Sequence, residues 1–210
     1  MTGTILITGA NSSLATKTIK LLHTKHPNYT LLLTACSPQT ITIDQPKSKP
    51  NPYPNPNIIT RKLDLSSLPA VHAFATTIAT EIQTGKLPPL SSIIATASYW
   101  NLRTEPELTA DGYEKTFQIN HIAHAALILR LLGYFDRESG GHVVLFSCDA
   151  HWPGKCGLER YLPAIPEVLD ELVHMNDKPM ELGAAKAKAK ADHLGRGFQR
   201  YANSKLAVVM

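Results

Sequence analysis

Short apolar runs alternate with helix-length segments along this 210-residue chain, and this alternation restricts the fold more than any other feature. Strands are predicted at Thr4–Thr8, Tyr29–Ala35, Ile58–Leu63, Ser91–Ala97 and His142–Ser147. Helices are predicted between them at Ser13–His26, Leu68–Gln83 and Thr109–Leu132. A βαβ series of this kind predicts the α/β class, with a doubly wound parallel sheet, helices on both faces and right-handed crossovers.

Two segments interrupt the alternation. Residues 46–57 contain five prolines and three asparagines, which predicts an extended surface loop. Residues 151–200 separate the last predicted strand from the C-terminal helix, and helices are expected there around 166–174 and 180–194. The length suits one domain with a sizeable core, so we predict a single domain over residues 1–210 with a proline-rich loop and a substrate-region insertion.

Composition argues against several classes of function. The net charge of +4 is small. The basic cluster Lys186–Lys190 is expected on a solvated helix face, with an anion contact as the alternative. No apolar run approaches the roughly 20 residues that a membrane helix requires. Three cysteines without metal-ligand spacing predict reduced thiols in the cytoplasm, with Cys148 a packing residue. We therefore expect no nucleic acid, no membrane and no metal as partners.

The segment Tyr201-Ala202-Asn203-Ser204-Lys205 places a phenol and an ammonium on one helix face. An ammonium held close to a phenol favours the phenolate, so the pKa of Tyr201 is predicted to fall below its usual value of about 10. Tyr201 is then a candidate general acid for protonating a carbonyl oxygen during hydride transfer. The alternative is an ordinary tyrosine and lysine on a partly exposed helix.

The first predicted strand leads into the turn Thr8-Gly9-Ala10-Asn11-Ser12-Ser13-Leu14-Ala15, which opens the first helix. At such a place backbone N–H groups and the helix dipole favour a phosphate. Ser13 and Ala15 occupy positions where nucleotide-binding turns more often have glycine, and only Gly9 keeps it. The alternative is a turn without a ligand, capped by Ser12 or Ser13.

Together these segments resemble the short-chain dehydrogenase/reductase family, whose members have a Rossmann-type doubly wound fold and use NAD(H) or NADP(H). The family's glycine-containing turn corresponds to Thr8–Ala15, and its Asp-Leu pair after the third strand to Asp64-Leu65. Its Asn-Asn-Ala-Gly after the fourth strand corresponds to Ala95–Ser98, which departs from the motif. The resemblance implies cofactor contacts from Gly9, Asn11, Ser12, Ser13, Leu14, Cys36, Asp64, Leu65, Ala95, Thr96, Ala97, Tyr201 and Lys205.

The resemblance also implies four active-site residues in the family's order along the chain: Asn120, Ser147, Tyr201 and Lys205. Ser147 would donate a hydrogen bond to the substrate oxygen, and Tyr201 would transfer the proton. Lys205 would bind the nicotinamide ribose and lower the pKa of Tyr201. Asn120 would hold a water molecule that connects Lys205 to solvent.

The end of the second predicted strand suggests the cofactor. A carboxylate there would bind the ribose hydroxyls and select NAD, whereas the chain has Thr34-Ala35-Cys36-Ser37. NADP is therefore expected in preference to NAD. Lys17, Arg61 and Lys62 are candidate sources of positive charge nearby.

Family members continue well beyond the position of Lys205, so the resemblance implies that the C-terminal strands are missing here. An exposed sheet edge or a truncated helix would then favour a homo-oligomer. Bulky apolar side chains suggest a bulky apolar substrate: Tyr99, Trp100, Trp152, Tyr161 and Leu162.

The expected function is an NADP(H)-dependent oxidoreductase that interconverts a ketone and an alcohol on a small molecule, as in fungal members of the family that act in secondary metabolism. The alternative is a catalytically impaired, truncated remnant that acts as a nucleotide- or protein-binding module.

Overall fold

The computed structural model describes residues 3–37, 57–164 and 192–210. Two compact units are present, one formed by Met1–Ala97 with Ala125–Leu145 and the other by Ser98–His124 with Phe146–Met210. The prediction of a single domain stays a prediction. The cluster 186–190, the helix predicted around 166–174 and nearly all of the loop predicted at 46–57 lie outside the described residues, as does most of the helix predicted around 180–194.

The first unit contains a parallel five-stranded sheet, as predicted. Its strand order is β3-β2-β1-β4-β5. The strands are β1 (Thr4–Thr8), β2 (Thr30–Ala35), β3 (Ile58–Lys62), β4 (Leu90–Ala95) and β5 (His142–Leu145). The order reverses beside β1, which makes the sheet doubly wound and brings the carboxyl ends of β1 and β4 side by side.

The central strands of this sheet, β1 and β2, carry buried apolar side chains. Leu6 and Ile7 of β1 and Leu32 and Leu33 of β2 are completely buried, as strands covered on both faces require. Helix α1 (Ser13–Lys25) contributes Ala15 and Ile19 to the same core. Helix α2 (Leu68–Gln83) has the predicted bounds, because Ser67 caps its first turn and Pro69 lies within that turn.

The helix predicted at Thr109–Leu132 begins later than expected. Residue Gly112 has a φ of +86°, and the Thr109 N–H donates to the Tyr113 carbonyl oxygen, so the chain turns before it becomes helical. Glu114 then caps helix α3 (Lys115–Phe117), which is followed by a π-helical turn (Gln118–Ile122) and helix α4 (Ala123–Leu131). The predicted start was wrong because a capping carboxylate and a left-handed glycine outweigh the apolar spacing.

The second unit also contains helix α5 (His193–Leu206), which carries the tyrosine–lysine motif and is capped by Asp192. In the first unit, β5 is an edge strand of the described sheet, and its side chains Val143, Val144 and Leu145 are exposed. Self-association through this edge stays a prediction. Within the described ranges, no helix combines the length and the apolar character needed to cross a membrane.

Candidate active site

The turn after β1 requires glycine at Gly9. Its φ is +62°, and a Cβ atom at this position would lie 2.6 Å from the Cα of Ala97. The Thr8 hydroxyl accepts a hydrogen bond from the Ala97 N–H at 3.2 Å, and the Thr96 hydroxyl donates to the Thr8 carbonyl oxygen. The segment Ala95–Ala97, which departs from the family motif, therefore fastens the β1 turn to the end of β4 through threonine hydroxyls.

The N-terminus of α1 fits a pyrophosphate. Ser12 accepts a hydrogen bond from the Ala15 N–H at 3.1 Å, which fixes the start of the helix. Ala15 is completely buried, so its methyl group is accommodated where the family more often has glycine. Asn11, Ser13 and Leu14 are exposed beside the positive end of the helix dipole, where an anion is stabilised.

The remaining predicted cofactor residues lie at the carboxyl ends of β2 and β3. Cys36 is exposed directly after β2, and Lys62 is paired with Ala35 in the neighbouring strand. The Asp64 carboxylate accepts hydrogen bonds from the backbone N–H of Ser66 at 2.9 Å and from its hydroxyl at 2.6 Å. Leu65 is buried.

Of the candidate cations near Cys36, Arg61 already forms an ion pair. Its guanidinium contacts the Glu81 carboxylate at 3.1 Å. Lys62 forms the last pair between β2 and β3, with Ala35, and has an exposed side chain. Lys62 therefore remains the better candidate for a cationic contact with a cofactor.

Helix α5 presents Tyr201 and Lys205 on one face in the second unit. The Lys205 ammonium lies 5.5 Å from the centre of the Tyr201 ring and donates a hydrogen bond to the Phe146 carbonyl oxygen at 3.1 Å. Lys205 is only 5% exposed, and this burial lowers its pKa. The two residues are brought together as the sequence predicts.

The pKa of Tyr201 is displaced in the direction opposite to the prediction. Burial raises it well above the usual value, and the contact with Cys148 raises it further, while Ser98 acts in the opposite sense. The prediction of a lowered pKa was wrong because the phenol loses water on burial, and the Lys205 ammonium donates to a backbone carbonyl oxygen instead of the phenol. Tyr201 is therefore a phenol, not a phenolate, at neutral pH.

Asn120 lies in the π-helical turn and connects three segments of the second unit. Its side-chain oxygen accepts from the Tyr99 N–H at 2.7 Å. Its amide nitrogen donates to the Tyr99 carbonyl oxygen and to the Ser204 hydroxyl, both at 2.9 Å. Ser204 in turn donates to the Tyr201 carbonyl oxygen at 2.7 Å, so Asn120 holds the tyrosine-bearing turn of α5. The water-holding role of Asn120 stays a prediction.

Ser147 lies beside Lys205, whereas the next residue faces Tyr201. The Ser147 hydroxyl donates to the Lys205 carbonyl oxygen at 2.8 Å and lies 3.1 Å from Nδ1 of His151. The Cys148 sulfur lies 3.6 Å from the Tyr201 hydroxyl oxygen. Sequence reasoning missed this contact by treating Cys148 as packing; the alternation of side chains along an extended chain was the signal that could have found it.

Arg200 is a second residue that sequence reasoning missed. It is only 7% exposed, and its guanidinium donates to the carbonyl oxygens of Asn101 and Thr104 at 3.2 and 3.3 Å. It also forms an ion pair with Glu114 at 3.7 Å. Arg200 thereby joins the segment after Ser98 to α5. The sequence feature that could have revealed this role is a charged residue directly before the candidate acid Tyr201.

The segment held by Arg200 forms one wall beside Tyr201. The Trp100 ring centre lies 5.7 Å from that of Tyr201, and Trp100 is 59% exposed. Gly197 allows the close approach, because a Cβ atom there would lie 2.5 Å from the Asn101 carbonyl oxygen. The arrangement can donate a proton from a half-buried phenol beside an exposed aromatic surface.

Comparison with known proteins finds relatives among dehydrogenases, although no family model matches the chain. The short-chain dehydrogenase iccH of Talaromyces variabilis is 26% identical, with 99% of this chain aligned to 62% of that protein. The WW domain-containing oxidoreductase of Gallus gallus is 32% identical over 70% of this chain and 33% of its own length. The chain thus spans less than two thirds of the length of these curated relatives.

Solved structures agree on the fold. An uncharacterised protein from Mycobacterium paratuberculosis superposes with a TM-score of 0.60 and 22% identity, over 97% of this chain and 57% of that one. The NADPH-bound carbonyl reductase from chicken fatty liver superposes with a TM-score of 0.53 and 17% identity, over 70% of this chain and 58% of that one. At these identities the likeness concerns the fold.

Proposed function

The chain belongs to the short-chain dehydrogenase/reductase family, and from this we propose that it reduces a carbonyl group with a nicotinamide cofactor. The single observation that carries the proposal is the half-buried Tyr201 phenol, held on α5 one helical turn from the buried Lys205 ammonium. A fixed phenol beside an ammonium suits proton transfer to an oxygen on which negative charge develops.

The bound cofactor would supply the hydride. Tyr201 donates the proton from Oη to the substrate oxygen, and its raised pKa keeps that proton in place at neutral pH. The protonated phenol favours the reduction direction, because the oxidation direction requires a phenolate as base. Lys205 places a positive charge near the phenol and stabilises the negative charge that Tyr201 gains as it gives up its proton.

NADP(H) is the preferred cofactor in this proposal. The two described residues directly after β2, the exposed Cys36 and Ser37, are not carboxylates, so neither selects the ribose hydroxyls of NAD. Lys62 is paired with Ala35 and shares its face of the sheet, which is the face covered by α1. A cation at this place favours a ribose 2′-phosphate.

A bulky apolar carbonyl compound is the proposed substrate class. Trp100 is exposed and its ring centre lies 5.7 Å from that of Tyr201. Other large apolar side chains of the second unit are also exposed: Trp152, Leu158 and Leu162. Such surface costs free energy in water and is stabilised when an apolar ligand covers it. A place in secondary metabolism is part of the proposal and rests on the family resemblance alone.

A cofactor-dependent turnover assay tests the proposal. The protein is incubated with NADPH or NADH and a panel that includes 4-nitrobenzaldehyde, 9,10-phenanthrenequinone and an aliphatic ketone. We expect 4-nitrobenzaldehyde to be reduced to the alcohol and the quinone to the hydroquinone, both detected by mass spectrometry. Binding of both cofactors without reduction of any compound would contradict the proposal and favour a nucleotide-binding module.

A further inference from the structure

We propose that Cys148, and not Ser147, is the second side chain that holds the substrate oxygen together with Tyr201; this inference rests on the proposed function. The chain would thus use a thiol where a carbonyl reductase requires a hydrogen-bond donor. We therefore expect the native protein to reduce a carbonyl compound more slowly than a variant that has a hydroxyl at position 148.

The first observation is the position of the thiol. The Cys148 sulfur lies 3.6 Å from the Tyr201 hydroxyl oxygen, which is the atom that would release the proton. An oxygen that accepts from the phenol lies within about 3 Å of Oη. The thiol is therefore within reach of a substrate oxygen that approaches Oη from the side on which Cys148 lies.

The second observation is that the Ser147 side chain does not face the Tyr201 hydroxyl group. The Ser147 hydroxyl has one proton, and it is given to the Lys205 carbonyl oxygen at 2.8 Å. Residue Cys148 has an extended backbone, with φ of −158° and ψ of 173°, so the side chains of Ser147 and Cys148 point to opposite sides. Ser147 therefore positions the end of α5, and Cys148 faces the reacting end of Tyr201.

The third observation is that the place of Cys148 is fixed. The turn Asp149–His151 follows it directly, and Ala150 of that turn is buried against Phe198 and Ala202 of α5. The sulfur packs against the same cluster. A side chain of similar size at position 148 would therefore occupy the same place beside Tyr201.

The donor strength of the thiol should have a measurable effect on kcat. A thiol is a weak hydrogen-bond donor, whereas a hydroxyl is a strong one and makes a shorter bond. Donors aimed at the oxygen that becomes negative accelerate the chemical step. The substitution Cys148→Ser should therefore raise kcat, by roughly threefold to tenfold.

The experiment compares Cys148→Ser, Cys148→Ala, Ser147→Ala and Tyr201→Phe with the native protein, using NADPH and 4-nitrobenzaldehyde. We expect kcat to rise in Cys148→Ser and to fall in Cys148→Ala. In a Cys36→Ser background, which removes the exposed thiol near the cofactor, iodoacetamide should stop turnover as Cys148 is modified, measured by peptide mass spectrometry with Cys156 as the matched thiol. The same protein with Cys148→Ala should be insensitive to the reagent.

The outcomes separate this inference from the proposed function. Turnover that depends on Tyr201 but is the same in the native protein, Cys148→Ser and Cys148→Ala would overturn the role of Cys148 alone. A native protein without turnover that gains it in Cys148→Ser would support the inference. Absence of turnover in the native protein and in Cys148→Ser would overturn both.

Discussion

Two groups on one helix face, the half-buried Tyr201 and the buried Lys205, have pKa values displaced in opposite directions. Burial raises the pKa of the phenol and lowers that of the ammonium, since in each case the charged form loses water. On the alkaline side Lys205 therefore loses its charge at a lower pH than an exposed lysine, while Tyr201 keeps its proton. The resting site holds a proton to donate and a positive charge that stabilises its release.

The pH dependence of reduction should follow Lys205 rather than Tyr201. We expect kcat/KM to be constant through neutral pH and to fall on the alkaline side as the Lys205 ammonium loses its proton. Lys205→Arg keeps a charge over this range, so the alkaline limb should move to higher pH. Measuring kcat/KM against pH for both proteins checks this, and an alkaline limb at the same pH in both would contradict it.

Cofactor preference should depend on residues at the ends of β2 and β3. Lys62→Ala should weaken NADPH binding by roughly tenfold and leave NADH binding nearly unchanged, because only the 2′-phosphate requires the cation. Cys36→Asp should shift the preference toward NADH. Fluorescence titration measures both, with Lys25→Ala at the far end of α1 as the control. Equal losses for the two cofactors in Lys62→Ala would contradict the assignment.

At the scale of elements, helix α5 and the segment Ser98–Glu114 are held together by the side chain of Arg200. Arg200 joins them by hydrogen bonds to Asn101 and Thr104 and by its ion pair with Glu114. The Arg200 Nε atom is buried and has no hydrogen-bond partner among the described residues, so the guanidinium depends on its other contacts. The aromatic wall at Trp100 is thus positioned by a buried charge.

Removing that charge should affect both stability and substrate binding. Arg200→Leu leaves Glu114 buried without its ion-pair partner, which should cost on the order of 3 kcal/mol of unfolding free energy. It should also raise KM for an aromatic aldehyde, because the segment carrying Trp100 is released. Chemical denaturation and steady-state kinetics measure the two effects, with the exposed Arg103→Leu as control. An unchanged KM would contradict the positioning role.

Elements with local start signals could be predicted closely from the sequence. Helix α2 has its predicted bounds because Ser67, Pro69 and a regular apolar spacing agree. Strand β4 ends at Ala95 instead of Ala97, because Thr96 leaves the strand pairing to bond to Thr8, and no local signal marks such a contact. The start of α3 was missed for a different reason, since apolar spacing continued through a glycine turn.

At the scale of the whole molecule, one buried histidine links stability to pH. Burial lowers the pKa of His124 to about 4, below its usual value of about 6.5. The unfolded chain therefore binds a proton between these values that the folded protein does not, and stability is lost as the pH falls from about 6.5 towards about 4.

We expect the unfolding free energy to decrease over this pH range by on the order of 3 kcal/mol because of His124. His124→Asn should remove most of this dependence, while His142→Asn, at an exposed position of β5, should keep it. Urea denaturation at a series of pH values measures the effect. The same pH dependence in His124→Asn and the native protein would show that other groups are responsible.

The sequence predicted the sheet from periodicity and the pairing of Tyr201 with Lys205 from their spacing on one helix. The place of Asn120 beside them was implied by the family resemblance. The sequence could not predict that Tyr201 is half-buried, since that depends on residues distant in the chain. The choice between Ser147 and Cys148 depends on which side of an extended segment faces α5. In an extended segment the side chains of adjacent residues point to opposite sides, and composition does not show which side faces α5.

The most direct test of the account is the effect of Tyr201→Phe on single-turnover reduction of 4-nitrobenzaldehyde with saturating NADPH. Phenylalanine keeps the ring contact with Trp100 but removes the proton, so the hydride-transfer rate should fall by at least roughly a hundredfold. The Kd for NADPH, measured by fluorescence titration, should remain nearly the same. A Tyr201→Phe protein that reduces the aldehyde at the native rate would contradict the assignment of Tyr201 as the proton donor.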